Sequence, residues 1–195
     1  TLSSIGGGND NTVSGNFSFV GGGSSSSGSG GNSTIGGGFC NTTSGITSTV
    51  GGGGGNTASN SYSAVVGGLG NTASGGRSFV GGGYGNTASG EYTTISGGYS
   101  NTASGNCSFV GGGRINTASG ALSVVVGGGC AGAGWVSNFA SGVHSFVGGG
   151  TGNTNCGPHS VIVGGGQIAQ GGKGNSIYTT ATASFIGAGC SNVIS

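Results

Sequence analysis

Valine or isoleucine returns at every fifteenth position, at Ile5, Val20, Ile35, Val50, Val65, Val80, Ile95, Val110 and Val125. The same anchor then recurs at Val147, Ile162 and Ile186, with one insertion before Val147 and a second before Ile186. A fixed short period is the signature of stacked modules. β-branched anchors suit a pleated, buried strand. Eight residues beyond each anchor stands a smaller residue: Val13, Gly28, Thr43, Ala58, Ala73, Ala88, Ala103 and Ala118, with Ala140 taking the place after the first insertion. Thr and Ser flank it, as in Thr57-Ala58-Ser59. Strand side chains alternate in direction, so Ala points inward where Thr and Ser point out. Each unit therefore predicts a strand, a Gly-rich turn, a second short strand and a Gly-containing turn.

The predicted fold is all-β, a parallel β-roll or β-solenoid of about twelve 15-residue rungs with an interior one layer thick. At the spacing of paired strands, twelve rungs would stand roughly 55–60 Å tall. The roll forms one domain over 1–195, with regular repeats over 1–129 and insertion-bearing repeats over 130–195. Asn marks one corner at Asn11, Asn41, Asn56, Asn71, Asn86, Asn101, Asn116, Asn138, Asn153 and Asn192. Stacked Asn side chains are expected to hydrogen-bond into a ladder.

The residues flanking the anchor point out of the roll, and they are apolar too. Before it come Phe19, Thr34, Thr49, Ala64, Phe79, Thr94, Phe109, Val124, Phe146, Val161 and Phe185. After it comes mostly Gly, but Val66, Val126 and Val163 follow Ala64, Val124 and Val161, whereas every Phe is followed by Gly. Size is traded within this column, as on packed surfaces. A stripe so tall would expose several hundred Å², as much as a monomer tolerates. Self-association covers it economically, with Phe19, Phe79, Phe109, Val124, Phe146, Val161 and Phe185 as the expected oligomer interface.

Ser63-Ala64-Val65-Val66-Gly67, Ser123-Val124-Val125-Val126-Gly127 and Ser160-Val161-Ile162-Val163-Gly164 resemble the repeat motif of trimeric autotransporter adhesin heads of the YadA type. The Asn-Thr-Ala-Ser-Gly segments resemble the other half of those repeats. Similar head-like repeats occur in viral and phage fibres. The resemblance covers nearly the whole chain, departing from it in the Gly-Gly-Gly runs. It implies a left-handed parallel β-roll, a homotrimer of three rolls, and a place at a cell surface or in a virion fibre.

Composition narrows the function classes. Only Asp10, Arg77, Glu91, Arg114 and Lys173 are charged, a net of +1. Nucleic acid, which needs a basic patch, is not an expected partner. No apolar run reaches the length of a membrane span. Glycine is 55 of 195 residues but lacks the every-third spacing of collagen. The chain opens within a repeat and is expected to be part of a longer protein. Cys40, Cys107, Cys130, Cys156 and Cys190 show no metal-like spacing, and no metal or other cofactor is expected. The two carboxylates lie in separate ordinary rungs, so no catalytic residues are assigned and the chain reads as non-enzymatic.

Local chemistry is expected where the repeat fails. The first insertion follows Gly129 and holds Trp135; the second follows Gly166 and runs through Ser176. Both leave the same corner two rungs apart, about 10 Å on the rung spacing. Trp135, Gln167, Gln170, Lys173 and Asn175 are the candidate ligand-binding loop residues, for solenoid insertions gather on one face. His144 and His159 share a place on adjacent rungs, in a column that also holds Tyr62, Arg77 and Tyr92. Three functions follow: attachment to a host-surface glycan or protein receptor, a structural spacer, or a flat Thr/Ser array of the kind that resembles ice-binding surfaces.

Overall fold

Among the described residues, two parallel sheets of twelve strands each run the height of the molecule, every strand only two residues long. The computed structural model describes residues 2–129, 136–166 and 174–195. One sheet runs from Ser4–Ile5 to Phe185–Ile186 and carries the anchors. The other runs from Thr12–Val13 to Val193–Ile194 and carries the small residues. Pairing is always with the rungs directly above and below: Phe79 lies between Ala64 and Thr94, and Thr87 between Thr72 and Thr102. The insertions leave the register intact, because Val125 pairs with Val147 and Ile162 with Ile186. The expected β-solenoid of about twelve coils is therefore what forms.

Two-residue strands leave most of each rung in turns, so the turns must also be hydrogen-bonded between rungs. A third row of bridges links Asn9, Ser24, Phe39, Gly54, Leu69, Tyr84, Tyr99 and Arg114. Within it the Tyr84 N–H donates to the Gly98 carbonyl and the Gly85 N–H to the Leu69 carbonyl, at 2.9 and 3.0 Å.

The interior is one side chain deep. Anchors from Val20 to Ile162 have no exposed surface, and Ala58, Ala73, Ala88, Ala103, Ala118 and Ala140 face them, equally buried. Ile5, the first anchor, is 44% exposed. The small column continues further than the sequence pattern indicated, through Asn155, Ile177 and Ile194. Asn155 divides the apolar interior into two clusters. Its Nδ2 donates to the Phe146 and Ser160 carbonyls at 3.1 and 2.8 Å, which satisfies the donor half of the buried amide, while its Oδ1 is buried without a partner.

At one corner Asn and Gly columns lock together. Asn86 donates to the Gly82 carbonyl in its own rung and to the Gly98 carbonyl above, both at 2.9 Å, and accepts from the Asn101 N–H at 2.9 Å. The glycine three residues after each anchor, Gly83 for instance, has φ +89. A Cβ there would lie 2.1 Å from the Gly98 oxygen. Conformation and space both demand glycine, and all twelve rungs have it, from Gly8 to Gly189.

The opposite corner is closed by buried hydroxyls: Ser48 donates to Gly45, Ser63 to Asn60 and Thr93 to Gly90, at 2.7, 2.6 and 2.9 Å. Just before this column the backbone turns left-handed at non-glycine residues. Tyr62, Arg77, Tyr92, Cys107, Leu122, His144 and His159 have φ between 55 and 59. The turn throws their side chains outward, forming a ridge along the roll.

Candidate interaction surfaces

Four columns of side chains face outward, each set by its place in the rung. The first flanks the buried anchors. Phe19, Phe79 and Phe185 are 42%, 37% and 65% exposed, and Phe109, Val124, Phe146 and Val161 are half-buried. Val66, Val126 and Val163 on the same side are exposed. All seven expected interface residues thus point away from the interior along one sheet.

The second column is the Thr/Ser array. Thr57, Thr72, Thr87, Thr102 and Thr117 stand in parallel register, half-buried, with Ser59, Ser89 and Ser104 exposed beside them. Phe139 follows Thr117 in that register and ends the uninterrupted run of hydroxyls.

The third lies on the bridge row. Tyr84 and Tyr99 stack with ring centroids 5.1 Å apart and planes 9° from parallel, and the Arg114 guanidinium sits 4.8 Å from the Tyr99 ring. Each ring turns one face to the other along the roll, and the pair remains 49% and 38% exposed.

The fourth is the left-handed ridge. Arg77 lies between two rings, 5.5 Å from Tyr62 and 5.1 Å from Tyr92, and its Nη1 contacts Glu91 Oε1 at 3.3 Å. Further along, His144 and His159 stack at 4.8 Å. No third His, Cys, Asp or Glu joins them among the described residues. Sequence inspection placed Arg77 and the Tyr pair in one column but did not foresee that Glu91, fourteen residues on, closes over the arginine.

Of the candidate loop residues, Trp135, Gln167, Gln170 and Lys173 lie outside the described residues. Asn175 requires a correction. It is fully buried, donates to the Gly164 and Gly189 carbonyls and accepts from the Asn192 N–H. It is a rung of the Asn ladder, and the chain is back in register by Ser176–Ile177. Spacing hid this, because the preceding insertion breaks the fifteen-residue count. The described ends of the two insertions both approach Gly152. A Cβ on Gly152 would lie 2.5 Å from Val136 Cγ1 and 3.5 Å from the Gly174 nitrogen. Cys40, Cys107, Cys156 and Cys190 are free thiols.

No protein-family model and no curated protein matches this chain.

Proposed function

We propose that this chain is a rigid, non-enzymatic attachment module: a left-handed roll that assembles as a homotrimer in an extracellular adhesin or virion fibre and presents its surface in three copies to a host-surface glycan or protein receptor. One observation supports it most. The strand carrying the anchors is apolar on both sides, with Phe19, Phe79 and Phe185 exposed on the outer one. Such a stripe on a chain with five charges among 195 residues would drive association between copies. Three-fold presentation converts weak single contacts into useful avidity. Stacked rungs hydrogen-bonded on every side supply the stiffness that projection requires.

Sedimentation equilibrium of the purified chain tests the reading. A trimer is expected, and surface attachment should fall when it is dissociated. A stable monomer at micromolar concentration would remove the interface from this account.

A further inference from the structure

The ridge and the second turn of three successive rungs border an open cleft of about 350 Å³, lined by Asn60, Tyr62, Gly76, Arg77 and Glu91 with Ser61, Ser74 and Ser89. That volume is at the lower end of small-molecule sites. Three departures from the repeat create it. Asn60 stands where Gly45, Gly75, Gly90 and Gly105 stand in other rungs. Its side chain is held in place, with Nδ2 donating to the Ser74 carbonyl at 3.1 Å and Oδ1 accepting from the Ser61 N–H at 2.8 Å. Gly76 leaves a notch where neighbouring rungs carry Ser61 and Glu91. Arg77 and Glu91 then place two of the chain's five charges at the notch, 3.3 Å apart.

Stacking does not require this group. The same ridge position holds Thr47 one side and Cys107 the other, in the same backbone conformation. An ion pair about half exposed contributes little to stability. Yet the arginine is held by two rings and a carboxylate, which fixes its remaining N–H donors in advance of any ligand.

We propose that this cleft binds one unit of a neutral sugar. Arg77 would donate to one of two adjacent hydroxyls, Glu91 would accept from the other, and the serines would complete the ring of hydrogen bonds. Tyr62, 57% exposed, would offer the part of its ring that Arg77 leaves uncovered to the C–H groups. The paired charges cancel, so nothing draws an anion in, and a carboxylated or sulfated sugar would meet Glu91. An apolar ligand would strip water from the ion pair without replacing its hydrogen bonds. The inference rests on the attachment reading for its use, but the cleft lies within a single chain.

The test uses the full chain, titrated with neutral mono- and disaccharides and with sialylated and sulfated ones, and read by saturation-transfer NMR. Saturable binding of a neutral sugar is expected. Gly76→Ile should abolish it by filling the notch. That change suits the fold, since φ there is not left-handed, a Cβ would meet nothing nearer than Glu91 Cγ at 3.6 Å, and another rung carries Ile46 at this place. Arg77→Ala should weaken binding about tenfold or more, the worth of a charge-assisted hydrogen bond. No saturable neutral-sugar binding, or unchanged binding by a normally melting Gly76→Ile chain, would overturn the proposal. So would preference for an anionic sugar. Absence of sugar binding by an unaltered chain that is trimeric and attaches would remove this inference alone; a monomer that still binds sugar would remove only the trimer.

Discussion

Asn86 reaches across to the Gly98 carbonyl of the next rung at 2.9 Å while its own Oδ1 holds the Asn101 N–H. One side chain thus ties two rungs through backbone on both, at a buried corner with no solvent to substitute. Asn86→Ala should cost about 2–4 kcal/mol, because the buried Asn101 N–H loses its acceptor along with several donated bonds. Asn86→Ser should cost less, for Ser26 already serves this column and accepts the Asn41 N–H at 3.3 Å. Denaturant unfolding ranks the three proteins. Hydrogen exchange should show the loss concentrated in neighbouring rungs, as expected of a stack with nearest-neighbour coupling.

Two glycine positions should respond in opposite ways. Gly83→Ala puts a methyl 2.1 Å from a backbone oxygen at left-handed φ. A loss of about 3 kcal/mol or more follows from overpacking and strain together. Gly52→Ala meets nothing within 4 Å and should shift the melting midpoint little. Thermal melts of the pair check the contrast.

The left-handed ridge carries strain that can be relieved. Thr47 is exposed and β-branched at φ +57, a conformation that Asn tolerates better. Asn32 occupies the same place one rung below, at φ +56. Thr47→Asn should stabilise the chain by ~0.5–1 kcal/mol, read as a higher denaturant midpoint at unchanged slope.

The apolar column should govern assembly without governing the fold. Phe79→Asn combined with Val124→Asn alters outward side chains and leaves Val80 and Val125 untouched in the core. The expected product is a monomer by sedimentation with an unchanged circular dichroism spectrum. A variant that remained trimeric would place the interface elsewhere.

The Tyr84–Tyr99 stack is the last case. A double-mutant cycle to Ala should return a coupling of ~0.5–1.5 kcal/mol, the usual range for an aromatic pair. The stacked faces predict no role as a platform, so the single variants should leave neutral-sugar binding unchanged.

Periodicity alone determined the architecture. Val80 and Ala88 recur at fixed offsets, and a strand period of two residues allows them only one arrangement, facing each other across a thin interior with Phe79 and Thr87 outside. The Asn corner was equally legible, since one residue type at one place in stacked rungs must meet its own copies. Counting failed at Asn175, where an insertion shifted the offset and only the ladder's hydrogen bonds restored it. The cleft was beyond sequence as well. Asn60, Gly76 and Arg77 belong to three different columns, and Glu91 shares the column of Gly76, not that of the arginine it meets. Only the folded roll decides that the arginine of one rung turns left-handed, lies between two rings and meets the carboxylate fourteen residues on. A repeat specifies contacts between equivalent positions; contacts between unequal ones depend on where each turn sends its side chain.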